Sequence, residues 1–358
     1  MNRPDNTEEA AEFVRSADRV SPAGAGTKRP RKSSAATLDL TGLTGIVEYD
    51  PSEYTFTALA GTPISEINEA LRENGQYLPF DPPLVDAGAT LGGTIACGLS
   101  GPGRLRYGGL RDFLIGIRFI NGEGTVIQGG GKVVKNAAGF DYPKLFCGAM
   151  GTLGILVETT FKVFPAPRAT RTLELQFPNM DTAIDTLCEI TLTQWEPDAL
   201  EFFPRHNLLL LRLAGNPDAL EARIPAILRQ LAGCRVQQLS ETEATARWCS
   251  LLEFEWNSLE ATLLKVPITP SKIPSLDKAL AERAIGRHYG MAGNMAWLAI
   301  SGHTEVEEVS AILEKEELSA LAIRGDTPRL AYGKRARHNV QNALKQALDP
   351  QNKFPEFQ

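Results

Sequence analysis

The residues most suggestive of chemistry in this chain are small ones. The segment PAGAGTK (Pro22–Lys28) places two glycines beside alanines, directly after residues typical of a strand end. Successive main-chain N–H groups can converge in such a loop and form an anion-binding nest, because glycine has no Cβ in the way. A diphosphate is the ligand that this arrangement suits. A tight structural loop is the alternative.

Two better-known phosphate loops do not fit these residues. The dinucleotide fingerprint G-x-G-x-x-G requires glycine at position 29, which is Arg29 here, and a helix directly afterwards. A Walker A loop requires Gly-Lys followed by Ser or Thr, whereas this chain has Gly26-Thr27-Lys28. The Rossmann and P-loop folds are therefore excluded.

Glycine is dense again between Gly88 and Gly154. The richest segments are Gly88–Gly116 and Lys132–Ile155, and short apolar runs such as Phe113–Phe119 lie among the glycines. Glycine beside strands indicates a backbone that approaches another group closely or turns with positive φ. We therefore expect these segments to line a bound cofactor.

Histidine and cysteine are too scattered to indicate a metal site. No C-x-x-C, H-x-H or H-x-x-x-H spacing occurs, so we predict neither zinc nor an iron–sulfur cluster in this chain. The cysteines are expected to be buried thiols. They are Cys97, Cys147, Cys188, Cys234 and Cys249, and the histidines are His206, His288, His303 and His338.

Composition narrows the class of protein further. A length of 358 residues allows two domains, and a net charge of −6 argues against nucleic acid as the main partner. The basic run Lys28–Lys32 is either a solvated loop or a segment close to an anionic ligand. No apolar run approaches the roughly 20 residues of a membrane span, and the acidic amino-terminal segment is not a signal peptide. We expect a cytosolic protein that could meet a membrane only through a partner.

In the first half, strands and short helices must hold the glycine-rich loops. Ile64, Ile67 and Leu71 share one face of a helix that begins near Pro63. Asn121-Gly122-Glu123-Gly124 is a hairpin signal between two strands. Further predicted elements are a helix over 7–18, strands over 54–60 and 155–163, and a linker at Pro165-Ala166-Pro167.

The second half has fewer glycines and a more regular pattern. From residue 172 to 239 the order of predicted elements is β-α-β-β-α-β, and a similar order recurs from 261 to 323. Capping-box patterns at Ser240-x-x-Glu243 and Thr304-x-x-Glu307 mark two helix starts. We therefore predict a duplicated domain of ferredoxin-like topology, followed by a basic helix over Gly333–Leu348.

The order of motifs resembles one known family. The chain is similar to the vanillyl-alcohol-oxidase / p-cresol-methylhydroxylase superfamily of FAD-binding proteins, and within it to the FAD-binding subunits of bacterial glycolate oxidases. The motifs that carry the resemblance are PAGAGTK (Pro22–Lys28), FDPP (Phe80–Pro83), GATLGGTIACGLSGPGR (Gly88–Arg104), YGGLRDFLIG (Tyr107–Gly116), KNAAGFDYPKLFCGAMGTLGI (Lys135–Ile155) and LDPQNKF (Leu348–Phe354).

The resemblance implies an α+β chain with a p-cresol-methylhydroxylase-type FAD-binding domain at 1–168, a cap domain at 169–325 and a tail at 326–358 that returns to the first domain. Residues 21–32 contain no histidine, cysteine or tyrosine, so a histidine linkage in this first loop is excluded and noncovalent FAD is expected. By position, the implied FAD contacts are Gly24, Ala25, Gly26, Thr27, Lys28, Thr90, Gly92, Gly93, Ser100, Gly101, Gly154 and Ile155.

The chemistry implied by the resemblance is oxidation of a 2-hydroxy acid such as glycolate, which needs a cation for the carboxylate and a base for the hydroxyl proton. His206 and His303 are lone and are interpreted as structural, so the catalytic residues remain unknown. An accessory or electron-relaying subunit is preferred, beside a homologous catalytic flavin subunit and an iron–sulfur subunit. A self-sufficient dehydrogenase and a structural subunit with a vestigial flavin site remain open. Candidate anion contacts are Arg104, Arg106, Arg111, Lys135, Tyr332 and Lys334.

Overall fold

The computed structural model describes residues 2–28, 35–131, 140–231, 233–283, 285–334 and 338–356. The chain forms two compact units. The first comprises Met1–Ser100, Gly109–Ala166 and Ala336–Gln358, and the second comprises Gly101–Gly108 and Pro167–Arg335. Strands and helices occur in both units, so the predicted α+β class is confirmed.

The helices and strands are numbered here in chain order. In order they are α1 (Thr7–Ser16), β1 (Val20–Ala23), β2 (Ala36–Asp39), β3 (Ile46–Asp50), β4 (Thr55–Leu59), α2 (Ile64–Glu73), β5 (Gln76–Tyr77), α3 (Leu91–Cys97), α4 (Arg104–Tyr107), α5 (Leu110–Phe113), β6 (Leu114–Ile120), β7 (Val126–Gly130), α6 (Tyr142–Phe146), β8 (Ile155–Lys162) and β9 (Phe164–Pro165). After these come β10 (Ala169–Gln176), α7 (Met180–Leu192), β11 (Ala199–Phe203), β12 (Leu208–Gly215), α8 (Pro217–Gln230), β13 (Arg235–Gln238), α9 (Glu241–Leu252), β14 (Thr262–Pro267), α10 (Ile273–Ala281), β15 (Gly286–Gly290), β16 (Met295–Ile300), α11 (His303–Lys315), β17 (Ser319–Arg324), β18 (Ala331–Gly333) and α12 (His338–Leu348).

The first unit is built on an antiparallel sheet with the strand order β3-β4-β8-β6-β7. β6 and β7 form the predicted hairpin, and Asn121 Oδ1 accepts from Thr125 N at 2.9 Å to close its turn. β1 and β2 pair in parallel in a separate small sheet, where Val20 shares a hydrophobic core with Val14 of α1. The first glycine-rich loop therefore begins at the end of a fixed strand.

The second unit contains one sheet with the strand order β13-β10-β12-β11-β15-β16-β14-β17-β18. Its first half, β10 to β13, has the β-α-β-β-α-β order and the spatial order 4-1-3-2. Its second half, β14 to β17, repeats that order of elements as 2-3-1-4. The predicted duplication is confirmed. The halves meet where β11 pairs with β15 through Phe202 and Tyr289, a junction we call the seam.

Large apolar side chains fill the space between this sheet and its helices. The buried cluster includes Leu187 of α7, Leu220 of α8, Leu276 of α10 and Leu313 of α11, all fully buried. A separate cluster places Trp248 of α9 against Ala199 and Leu210, with Trp248 Nε1 donating to Thr172 Oγ1 at 3.0 Å. Burial of alternate strand residues thus stabilises both faces of the sheet where helices cover it.

Several local predictions were wrong. The N-cap residue of α11 is Gly302, so the helix begins before the Thr304-x-x-Glu307 pattern that was predicted to mark its start. Residues 331–333 form β18, and the terminal helix spans only His338–Leu348. Pro165 of the predicted linker belongs to β9, which pairs with β5. The cysteines were predicted to be buried, but Cys147, Cys188 and Cys234 are only partly buried and Cys249 is exposed.

None of the helices in the described ranges has the length and apolar character that crossing a bilayer requires. In the same ranges, no group of three or more His, Cys, Asp or Glu side chains is arranged to hold a metal ion.

Candidate functional site

The first glycine-rich loop comes directly against the amino-terminal end of α3. A Cβ atom on Gly24 would lie 2.4 Å from Thr90 Oγ1, so only glycine allows this approach. Thr90 is the N-cap of α3, and its Oγ1 accepts from Gly93 N at 3.3 Å. A Cβ atom on Gly93 would lie 3.0 Å from the same oxygen and 3.9 Å from Lys28 Cε. Gly24, Lys28, Thr90 and Gly93 therefore form one group, which we call the first-loop cluster.

The loop turns at Gly26 and ends in a cation. Gly26 has φ of 76°, in the left-handed region where a Cβ atom causes strain. Thr27 and Lys28 follow, and Lys28 Nζ donates to Thr27 Oγ1 at 3.1 Å. A positive charge beside a tight run of small residues provides the charge and the close main-chain approach that an anionic group requires. Ala25 lies between the two glycines of this turn.

Gly92 faces away from the first-loop cluster. Its amide donates to Ala60 O at 2.7 Å, and a Cβ atom on it would lie 2.8 Å from Ala60 Cβ. The preceding amide, Leu91 N, donates to Thr62 O at 2.9 Å. These bonds fix α3 against the turn that follows β4, so Gly92 serves helix packing in this structure. Its predicted cofactor contact stays a prediction.

Ser100 and Gly101 occupy different surroundings. Ser100 is buried, and its Oγ accepts from Leu110 N at 2.9 Å, which fixes the start of α5. Gly101 belongs to the segment Gly101–Gly108 of the second unit, where its carbonyl accepts from Arg104 N at 3.1 Å. The structure thus gives both residues local main-chain partners, and their predicted FAD contacts are not tested by it.

Gly154 directly precedes β8, and Ile155 is its first residue; both lie in crowded surroundings. A Cβ atom on Gly154 would lie 2.8 Å from Ile120 O, and the Ile155 side chain is fully buried in the core beside Ile120. The preceding loop reaches β1, since a Cβ atom on Gly151 would lie 2.6 Å from Pro22 Cγ. The structure therefore brings the loop before β8 against β1, the strand that carries the first loop.

Three of the candidate anion contacts have partners or surroundings within the second unit. Tyr332 is buried in the core of the second unit, and that burial raises the pKa of its phenol. Its predicted anion contact stays a prediction. In the same unit, Arg106 Nη2 pairs with Glu196 Oε2 at 3.2 Å and Lys334 Nζ with Glu317 Oε1 at 2.8 Å. Lys135 and the basic residues 29–32 lie outside the described part of the chain.

A buried polar group at the seam of the second unit was not predicted from the sequence. Glu201 on β11 and His288 on β15 are 2% exposed each, and their Oε2 and Nε2 atoms lie 3.4 Å apart. Glu201 Oε1 accepts from Met291 N at 2.9 Å, and the His288 ring stacks on Phe203. Among the described residues, His288 Nδ1 has no hydrogen-bond partner. No spacing in the sequence signals this group, because the pairing of β11 with β15 creates it.

Comparison with known proteins identifies the family of the chain. The family described as an FAD binding domain matches residues 2–130. The glycolate oxidase subunit GlcE of Escherichia coli strain K12 is 38% identical over 249 residues, which are 69% of this chain and 67% of that protein. The chain belongs to this flavoprotein family.

Two further relatives extend the comparison. The glycolate oxidase subunit GlcD of Bacillus subtilis strain 168 is 34% identical to this chain over 166 residues, which are 46% of this chain but only 35% of that subunit. A crystal structure of p-cresol methylhydroxylase matches with a TM-score of 0.75 at 13% identity, covering 98% of this chain and 86% of that one. The latter likeness shows the fold alone.

FAD is the cofactor of this family member, which is an FAD-dependent oxidoreductase. The residues present fit that cofactor: the tight turn of small residues at Gly26, and the ammonium of Lys28 beside Thr27, suit a diphosphate. The flavin, when bound, accepts the electrons that a substrate C–H bond releases.

Proposed function

We propose that this chain is the FAD-binding subunit of a complex that oxidises glycolate, or a related 2-hydroxy acid, to the corresponding oxo acid, glyoxylate in the case of glycolate. The similarity to GlcE over two thirds of that subunit supports the substrate class. The first-loop cluster is the structural observation that carries the flavin part of the proposal. We assign its amides and Lys28 to the diphosphate of a noncovalently bound FAD.

The remaining predicted contacts extend this assignment. We place Ala25, Gly26 and Thr27 at the diphosphate with the cluster, Gly92, Ser100 and Gly101 towards the ribityl side, and Gly154 and Ile155 at the adenine-ribose end. The domain division at 1–168, 169–325 and 326–358 belongs to the same proposal, as does the cytoplasm as the compartment.

The role that we propose is accessory or electron-relaying. Oxidation of a 2-hydroxy acid needs a cation for the carboxylate and a base for the hydroxyl proton. In the described part of the second unit, His206 is exposed and His288 is buried against Glu201. These two imidazoles therefore do not form one site in which both could contact the same substrate molecule. We infer that a homologous flavin subunit carries the base and that an iron–sulfur subunit takes the electrons onward.

One set of preparations tests the proposal. The chain is purified alone and together with candidate partner subunits, and the flavin and iron of each preparation are counted. Each preparation is then given glycolate or D-lactate with an artificial electron acceptor. We expect the chain alone to bind an equimolar amount of FAD, to hold no iron and to reduce little acceptor, whereas the assembly reduces it rapidly.

The other outcomes identify the alternatives. If the chain alone oxidises glycolate at the rate of the assembly, it is a self-sufficient dehydrogenase and the accessory role is wrong. If the purified chain is colourless and does not bind added FAD, it is a structural subunit and its flavin site is vestigial.

A further inference from the structure

The end of the described chain returns to β1, the strand that carries the first loop. Val20 N, at the start of β1, donates to Lys353 O at 2.8 Å. The parallel partner of β1 is β2, which pairs Val20 with Ala36. Only three residues lie between Val20 and Gly24 in the sequence, so the position of Val20 constrains where the loop begins.

The side chain of Lys353 is buried and holds the end of α1. Its Nζ donates to Val14 O at 2.7 Å and to Arg15 O at 3.0 Å. Both carbonyls lie in the last turn of α1, where main-chain oxygens have no partner within the helix and a cation is favoured by the helix dipole. Lys353 is 8% exposed, so these bonds are shielded from solvent.

Asp349 lies at the centre of the same arrangement. It is 1% exposed; its Oδ1 accepts from Lys353 N at 2.9 Å and its Oδ2 from Phe354 N at 2.8 Å. Lys345 Nζ donates to Asp349 Oδ2 at 2.7 Å and to Phe354 O at 2.8 Å. The carboxylate thus fixes a bend of the main chain that points Lys353 O at Val20. We call Lys345, Asp349 and Lys353 the tail clamp.

The tail clamp also reaches β1 by a second route. Lys345 Nζ donates to Thr152 O at 2.8 Å, in the loop whose Gly151 packs on Pro22. Burial lowers the pKa of Lys345, and the neighbouring Asp349 opposes that effect. Both Val20 and Pro22 are therefore held by contacts that depend on residues 345–353.

We infer that the tail clamp consists of positioning residues for the cofactor: it sets FAD affinity by fixing β1 and the first loop, through main-chain contacts at Val20 and Pro22. This inference rests on the diphosphate role proposed above for the first loop. It assigns a function to the LDPQNKF segment that involves the neighbouring backbone rather than the cofactor.

The test measures two properties of the full-length chain, the dissociation constant for FAD and the hydrogen exchange of the cofactor-free protein. We expect Lys353→Met and Asp349→Asn to weaken FAD binding by about tenfold, within the usual range of coupling between sites. The same variants should speed exchange at Val20–Lys28 but not in β6. Lys353→Arg, which keeps the donors, should restore part of the affinity.

Lys162→Met is the matched control, because Lys162 is exposed at the end of β8. It should change neither property. If Lys353→Met does not fold, the dissociation constant for FAD and the hydrogen exchange at Val20–Lys28 are measured on Lys353→Gln instead.

The inference is overturned if the variants bind FAD within twofold of the unmodified chain, or if affinity falls while exchange at Val20–Lys28 stays unchanged. An unmodified chain that binds no FAD would instead disprove the proposed diphosphate role.

Discussion

In the first unit backbone atoms approach one another at glycines, whereas in the second unit large side chains fill the space between sheet and helices. A Cβ atom on Gly61 would lie 2.0 Å from Leu40 O, and one on Gly122 would lie 2.7 Å from Asp349 Cα. In the second unit, glycines at which a Cβ atom would also meet a neighbouring atom, such as Gly290 and Gly333, lie at strand ends. A methyl group added at such a glycine should therefore perturb the first unit. Truncation of a buried side chain should destabilise the second.

The largest expected effect tests the second unit. Leu264 of β14 is fully buried in its core, so Leu264→Ala removes packed volume and should lower the free energy of unfolding by about 2–5 kcal/mol. Urea unfolding followed by circular dichroism measures the loss. Leu259→Ala is the control, since Leu259 is 78% exposed and its removal should stay within about 0.5 kcal/mol. Equal effects of the two substitutions would contradict the importance of packing here.

The second prediction adds volume to the first unit. Gly24→Ala puts a methyl group 2.4 Å from Thr90 Oγ1 and should weaken FAD binding by about 1–3 kcal/mol, measured by titration of the cofactor-free protein. Thr90→Ala removes that oxygen, whose loss as an N-cap costs about 1 kcal/mol by itself. The double variant should then bind FAD better than the sum of the two losses predicts. Strict additivity would show that the two residues do not touch.

A control for added volume is available in the second unit. Gly233 has no heavy atom within 4 Å of the position that a Cβ would take, among the residues described there. Gly233→Ala should leave FAD affinity unchanged and shift the free energy of unfolding by no more than about 0.5 kcal/mol.

The seam gives a third, intermediate test. Glu201→Ala leaves Met291 N and His288 Nε2 without the carboxylate that they face, and an unsatisfied buried polar group costs about 1–3 kcal/mol. We expect a loss of that size in urea unfolding, with FAD affinity retained. Glu260→Ala is the exposed counterpart and should be neutral. If Glu201→Ala does not lower the free energy of unfolding, the pairing of β11 with β15 joins the two halves without a contribution from this carboxylate.

The smallest effect concerns the capping box of α9. Ser240 N and Oγ both donate to Glu243 Oε2, at 2.9 and 2.6 Å, and these bonds lower the pKa of Glu243. The stabilisation is therefore present above the unfolded-state pKa of about 4.3 and is lost as the pH falls through the lower folded-state value. Urea unfolding of Glu243→Gln should show a deficit at neutral pH that shrinks towards acid. A deficit independent of pH would contradict this interpretation.

The two units also differ in how far their sequence predicted them. The local order of apolar segments and turn residues predicted the strands and helices of the second unit, and hence its duplication. The seam was not predictable, since the register between β11 and β15 joins residues far apart in the chain. The start of α11 was mispredicted for a related reason: the Thr304 pattern fits a cap, but the backbone enters the helix at Gly302.

In the first unit, composition and family resemblance located the loops but did not show what each glycine does. Gly24 and Gly93 both approach Thr90, whereas Gly92, adjacent to Gly93, packs on Ala60. A one-residue step along α3 turns a residue by about 100°, so neighbouring glycines serve different partners. Only the contacts of the folded chain distinguish them.

The mirrored strand order at the seam has a consequence for each half of the second unit. A polypeptide that held only β10 to β13 would leave the long edge of β11 open, and an open edge recruits another strand. The partner closest at hand is a second identical fragment, joined about a twofold axis. In the intact chain the second half supplies this partner, so the edges of β11 and β15 that face the seam are both occupied once the sheet has folded.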